Sequence, residues 1–307
     1  MFKRLLVLLI LAALLFLGWR FLAARPAPDT GLQFPHYQQE GFRRPLVIAH
    51  ADDSGKGLFP GNTAIFLKQM AALNVDVLEM DVHLTADGVL VLMHDDTVDR
   101  TTDGQGAIRD KTLAQLRQLN VAYNWTKDGS SYPYRDNPQR ILTLDQVFKA
   151  YPRYPMIVEL KTPQAEAARL LCEKLQSFQK SNLVIVSSFH QEAVDAFRSD
   201  CPQVATGAGA DEVKAFVAAS KVRLFRLLSP RYQALHIPVQ YSGITLVDQS
   251  SVQQAQIRGV RIDVWTVNDE PEMRRLIALG VDGIMTDRPD RLQKIIEELQ
   301  EFEEMNQ

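Results

Sequence analysis

Three features of the sequence predict an α/β fold, a TIM-type (β/α)8 barrel. Short apolar runs alternate with helical patterns from Pro45 onward, eight such runs are each followed by a helix, and ionisable groups recur where the runs end. Alternating β and α elements imply parallel strands joined by right-handed crossovers, and eight units in about 260 residues match the usual size of the barrel. A doubly wound open sheet is the rival arrangement.

Residues 1–24 read as an address rather than part of the fold. An apolar run from Leu5 to Trp19 follows Lys3 and Arg4. Counted past Arg20, whose long stem can snorkel, it reaches about 20 residues, the length of a bilayer span. The expectation is a membrane anchor with the body exported to the periplasm or the extracellular side. The alternative is a signal peptide cut after Leu22-Ala23-Ala24, followed by secretion. Residues 25–44 include Pro26, Pro28, Gly31 and Gly41 and read as a linker.

Residues 45–307 form the single domain. Leu46–Ala49 is a buried strand and residues 62–73 a helix. Residues 77–82 form the second strand, with a returning arm at 89–93 that closes a β-hairpin over Asp87-Gly88. The polar, turn-rich stretch 95–140 is an insertion after strand two, because the alternation resumes beyond it; residues 113–119 form a helix inside it. A helix at 143–150 opens on Thr143, a capping residue. Strands follow at 156–160, 183–187, 204–207, 244–247, 262–267 and 283–286. The helices between and after them span 163–180, 191–199, 211–219, 251–258, 270–279 and 289–304. Residues 221–240 carry no assignable pattern.

The net charge is −3, and the basic N-terminal segment contributes +4 of opposite sign, which leaves −7 on the rest. An acidic body without a basic run argues against nucleic acid, whose binding rests on neutralising many phosphates. It could still handle one phosphate if a cation did the neutralising. The only cysteines, Cys172 and Cys201, exclude a disulfide scaffold and a cysteine-rich zinc site. Two semi-buried thiols are expected, with a single bridge as the alternative. Nothing in the sequence sets an oligomeric state.

The chemistry centres on residues 78–95. Side chains alternate along a strand, so Glu79 and Asp81 share one face, roughly 6–7 Å apart. Paired carboxylates on an apolar strand are costly unless a positive group lies between them, and a divalent ion with oxygen ligands is the simplest such group. The hairpin returns His94 towards the same end, which assembles the start of a metal-assisted acid–base site. Other strand ends carry His50, Glu159 with Lys161, Trp265 and Asp287, where a barrel gathers its function. Taken singly, His50 could be a core histidine, Glu159 and Lys161 a plain ion pair, and Trp265 a core residue. His83 is expected to face the insertion or solvent, and His190 to start a helix.

Several stretches together resemble the glycerophosphodiester phosphodiesterase family. They are Val47-Ile48-Ala49-His50, Pro60 with Asn62-Thr63, Glu79-Met80-Asp81-Val82, His94-Asp95 with Asp99-Arg100-Thr101-Thr102, Val158-Glu159-Leu160-Lys161, Trp265-Thr266-Val267-Asn268 and Gly283-Ile284-Met285-Thr286-Asp287. The resemblance runs in order from Pro45 to about Leu292. It implies a TIM-type barrel, a divalent cation, Ca2+ or Mg2+, and hydrolysis of a glycerol phosphodiester to glycerol 3-phosphate and an alcohol. It further implies Glu79, Asp81 and Glu159 as metal ligands and His50 and His94 as catalytic histidines. Lys161 would lie on the phosphate side and Trp265 would line the pocket. Two matches fail: Ala51 stands where the family usually has arginine, and Gly61 where it usually has glutamate. Lys56 and Arg100 are the candidates to compensate. Lysophospholipase D-type hydrolysis of lysolipids is one alternative. A phosphodiester-binding barrel without catalysis and a metal-free, two-histidine phospholipase C-like barrel are the others.

Overall fold

The computed structural model describes residues 2–35, 38, 39 and 42–305. Gly41 of the expected linker lies outside them. The elements that build the domain are β1 (Leu46–Ala49), α2 (Ala64–Ala72), β2 (Val77–Leu84), β3 (Leu90–Leu92), α3 (Leu144–Ala150), β4 (Met156–Leu160) and α4 (Ala165–Ser177). They continue with β5 (Val184–Ser187), α5 (Gln191–Asp200), β6 (Ala205–Thr206), α6 (Ala210–Lys221), β7 (Ala234–Pro238) and α7 (Gln249–Ile257). The last are β8 (Arg261–Trp265), α8 (Glu270–Leu279), β9 (Gly283–Thr286) and α9 (Pro289–Met305). A further helix, α1 (Phe2–Ala23), precedes them all.

Eight strands pair in parallel in the order β6-β5-β4-β2-β1-β9-β8-β7. A parallel bridge from Gly207, just beyond β6, to Ala234 of β7 completes the circle. This closure excludes the doubly wound sheet and gives the (β/α)8 barrel. The hairpin arm β3 stands off the ring, antiparallel to β2, with Val82 opposite Leu92.

The period-two alternation of each strand divides two environments. Val47, Ala49, Leu78, Met80, Val158 and Val264 point outward into the layer shared with the helices. Leu46, Ile48, Val77, Ile157 and Ile185 fill the interior instead. Glu79 and Asp81 follow Val77 on the inward set, and Glu159 follows Ile157. The register pairs Asp81 with Glu159, so the strands themselves bring these carboxylates level.

Two expectations are corrected. The sixth barrel strand from the N-terminal side is Ala234–Pro238, inside the stretch that carried no assignable pattern. Residues 244–247 fail as a barrel strand: Ile244–Thr245 is instead the second arm of a two-residue ladder with Gln240–Tyr241, exposed beyond the barrel. Exposed apolar Ile244 and buried apolar Ile237 carry the same local signal, so propensity alone ranked them wrongly. The cysteines are also not two free thiols: Cys172 on α4 and Cys201 after α5 form a disulfide, with Cα atoms 5.8 Å apart.

The segment read as a linker is ordered against the barrel over residues 24–34. Ala27 N–H donates to Arg258 O at 2.7 Å, and Gln33 N–H donates to Asn182 O at 2.7 Å. Leu32 and Phe34 pack beneath the interior cluster. Among the described residues no helix is long and apolar enough to cross a membrane, so the bilayer span expected for residues 1–24 finds no support there.

Candidate active site

The mouth formed by the C-terminal strand ends holds the predicted groups. Glu79, Asp81 and Glu159 each place one carboxylate oxygen within 4.8 Å of the others. Their neighbours fix them separately. Ala51 N–H donates to Glu79 Oε2 at 2.8 Å, the Asn62 side-chain amide donates to Asp81 Oδ2 at 2.9 Å, and Asp81 N–H donates back to Asn62 Oδ1 at 3.1 Å. Asn62 has a positive φ of 57°, a turn geometry asparagine tolerates, and the following Thr63 caps α2. One short turn thus starts a helix and grips a carboxylate.

Lys161 extends its ammonium into the acidic group, 3.1 Å from Asp81 Oδ1 and 3.0 Å from Glu159 Oε1. The Lys161 ammonium and the charged His50 ring face three carboxylates, so with all three ionised the balance is negative by one charge. Burial, then the charge of Asp81, pushes the Glu79 carboxyl well above the usual range. Burial also raises Glu159, against the opposing pull of Lys161. Glu159 Oε1 is buried, and the Lys161 ammonium at 3.0 Å is its partner. An all-oxygen cluster with a surplus of negative charge fits a hard divalent cation.

Two histidines flank the carboxylates, each backed by an aspartate. His50 Nδ1 lies 2.6 Å from Asp287 Oδ1, and Asn268 donates to the other oxygen of Asp287 at 2.6 Å. Burial alone would lower the pKa of His50. The Asp287 hydrogen bond, with the charges of Glu79, Asp287 and Asp81, overrides it and lifts the value to about 9. On the Glu159 side, His94 Nδ1 lies 2.7 Å from Asp95 Oδ1. Arg100 grips Asp95 through Nε and Nη2 at 2.7 and 2.8 Å and reaches Asp53 at 2.8 Å. The Arg100 hydrogen bond, against burial, holds the Asp95 carboxyl down at about 2. Both imidazoles therefore bind aspartate through Nδ1, leaving Nε2 for chemistry.

A cavity of about 380 Å³ opens beside the cluster, lined by His94, Asp95, Glu159, Lys161, Phe189 and His190, with Asp96 at its edge. Trp265 is placed behind this lining: its ring meets Phe189 edge-on, 5.7 Å between centroids. His190 begins α5, as expected, and its Nε2 lies 3.2 Å from Lys161 O. His83 faces the start of the insertion, as expected, rather than solvent: it is buried, with Nε2 3.2 Å from His94 O and Nδ1 3.8 Å from Asp96 Oδ1.

The supporting residues Asn62, Asp95, Asp287 and Asn268 had no role assigned from sequence, although all lie in the stretches that carry the resemblance, and Arg100 was considered only as a phosphate-side substitute. Asp53 and Phe189 lie at strand ends and had no role assigned either. Positions 51 and 61 meet in the structure. A Cβ on Gly61 would fall 2.1 Å from the Ala51 carbonyl oxygen, and Ala51 itself is buried against the layer under the helices. The loop therefore leaves no space for a side chain at position 61. Arg100 is tied to two aspartates and Lys56 is exposed.

Known proteins share this architecture and sequence. The model of the glycerophosphoryl diester phosphodiesterase family matches residues 54–291. YhdW of Bacillus subtilis is 32% identical over 247 residues, covering 80% of this chain and 95% of the relative. A glycerophosphodiester phosphodiesterase of Caldanaerobacter subterraneus subsp. tengcongensis is 31% identical over 266 residues, covering 82% and 97%. Among solved structures, a phosphodiesterase of Oleispira antarctica in complex with the product sn-glycerol-3-phosphate superposes with a TM-score of 0.66 at 29% identity, covering 83% of this chain and 97% of that one. With the family model spanning most of the barrel, the chain belongs to the glycerophosphoryl diester phosphodiesterase family and is a phosphoric diester hydrolase.

Proposed function

We propose that the protein hydrolyses water-soluble glycerol phosphodiesters to glycerol 3-phosphate and an alcohol, with Glu79, Asp81 and Glu159 holding Ca2+ or Mg2+. The observation that carries this reading is the cluster itself, three inward carboxylates that each place an oxygen within 4.8 Å of the others. A bound divalent cation would offset the diester's charge and favour the more negative transition state.

The chain's own residues do the rest. Lys161 reaches in from β4 and meets a phosphate oxygen from the protein side. One imidazole of the pair His50 and His94 accepts a proton at Nε2 from the nucleophile, either a water, which gives glycerol 3-phosphate directly, or a glycerol hydroxyl, which gives a cyclic phosphodiester that water opens in a second step. The other donates a proton to the leaving alkoxide oxygen, so no free alkoxide forms. Asp287 and Asp95 hold the rings with Nε2 exposed and stabilise each while charged. Phe189, backed by Trp265, gives the leaving alcohol an apolar wall. In assays with glycerophosphocholine, His94→Ala and His50→Ala are each expected to lower kcat by about 10²-fold or more. Near-normal turnover in either variant contradicts the assignment.

We also infer that the domain is exported. The Cys172–Cys201 disulfide supports this, because such bonds persist in oxidising compartments. Thiol labelling of the protein as isolated should find no reactive cysteine; two labelled thiols would overturn the inference.

A further inference from the structure

Residues 20–34 of the N-terminal segment meet the barrel at one end. The strap of residues 24–34 runs across the face where the chain enters the strands. Its partners Asn182, Gln233 and Arg258 immediately precede β5, β7 and β8. Helix α1 joins this strap, and its C-terminal end is fastened to the same rim. Arg20 donates to Leu227 O at 3.2 Å, Arg25 N–H donates to Ser229 Oγ at 3.0 Å, and Arg226 lies over the Phe21 ring at 5.6 Å. The catalytic groups all occupy the opposite, C-terminal ends of the strands.

The surface at this rim has a particular chemistry. Between Leu5 and Trp19 helix α1 carries no polar side chain, and Leu9, Leu15, Phe16 and Trp19 are more than half exposed. Beside its fastening point, residues 221–226 alternate Lys221, which pairs with Asp248 at 2.9 Å, Arg223 and Arg226 with apolar Val222 and Leu224, which are 62% and 42% exposed. From Lys221 to Arg231 there is no acidic residue, on a chain whose net charge is negative. Exposed apolar side chains interleaved with arginine match a bilayer surface bearing anionic headgroups, to which each basic residue is attracted.

We infer that α1 and the 221–226 rim together seat the N-terminal end of the barrel on an anionic lipid surface, so that the catalytic mouth faces away from it. Resting on the hydrolytic reading above, this orientation assigns the substrate to the aqueous phase: a soluble glycerophosphodiester reaches the mouth freely, whereas a lysolipid held in the same bilayer does not.

The test uses full-length protein with vesicles of phosphatidylcholine and phosphatidylglycerol containing brominated lipid, which quenches tryptophan on contact. Val222→Trp and Phe189→Trp report the two ends, each read as the difference from the wild-type protein. Loss of the added emission at 222 with none at 189 is expected. Quenching at 189 overturns the orientation. No quenching at 222 overturns the lipid contact, and a dimer in solution that shields position 222 would then identify a second copy as the occupant. This readout needs no turnover, so its failure is distinguishable from failure of the hydrolytic reading. In the same vesicles the wild-type enzyme should cleave added glycerophosphocholine and leave embedded lysophosphatidylcholine uncut; efficient cleavage of the embedded lipid contradicts the substrate assignment.

Discussion

The barrel interior holds two ionic clusters, and they are built on opposite principles. At the floor, Asp263 is fully buried, with Arg261 Nη2 2.7 Å from one oxygen and His236 Nε2 3.5 Å from the other. Burial would raise the Asp263 carboxyl, but Arg261 and His236 outweigh it and hold the value at about 2. At the mouth the ratio is inverted: Glu79, Asp81 and Glu159 share the single ammonium of Lys161. The floor cluster is balanced and sealed beneath by Phe34, whose ring lies 5.6 Å from the Arg261 guanidinium. The mouth cluster carries surplus charge beside a cavity. Balanced buried charge is structural, whereas surplus buried charge marks a place where a ligand completes the site.

Paired substitutions sharpen that contrast. Glu159→Gln should lower turnover by at least about 10²-fold while leaving the cation-free protein as stable as before, because it removes one of several mutually repelling charges. Asp263→Asn should do the reverse, costing about 3–5 kcal/mol of stability by stranding Arg261, with kcat little changed in the folded fraction. Denaturant unfolding and steady-state kinetics read both. The folded pKa of Asp263 is below its usual value, so its contribution is present above about pH 3.9 and is lost as pH falls towards 2. The Asn variant should lack that part of the acid-induced loss. A floor variant that loses activity without losing stability would erase the distinction.

A smaller effect is expected one layer out from the mouth. Arg100→Lys keeps the charge but cannot form the two-bonded grip on Asp95 while reaching Asp53, so His94 loses its fixed orientation. A fall in kcat of about tenfold with an altered pH–rate profile is expected, and KM should change little. A rise in KM alone would instead make Arg100 a phosphate ligand, the role considered for it from the sequence.

Much of the mouth was legible before any coordinates because strand alternation does geometric work. Glu79, Asp81 and Glu159 sit at even spacings behind Val77 and Ile157, and parallel register sets Asp81 beside Glu159 without help from loops. The count of eight barrel strands came out right although residues 244–247 stood in for the strand Ala234–Pro238. What failed to show were features decided by long-range packing. The strand Ala234–Pro238 lies inside a stretch broken by Pro230 and by the polar residues Gln233 and His236, so its buried half carries a weak pattern. The strap at 24–34 is rich in proline and polar residues like any linker, and only Leu32 and Phe34 reveal its place beneath the barrel. Asp53 and Phe189 sit on loops whose course the sequence does not fix. The Cys172–Cys201 pairing required knowing that α4 and α5 are neighbours.

The claim beneath all of this is that the surplus charge at the mouth exists to hold a divalent ion over which two imidazoles work. Release of glycerol 3-phosphate from glycerophosphocholine by the metal-stripped protein, before and after addition of Ca2+ or Mg2+, tests it most directly. The account predicts no release in excess chelator and recovery on adding back one of these ions. Full turnover in the continued presence of chelator would contradict it.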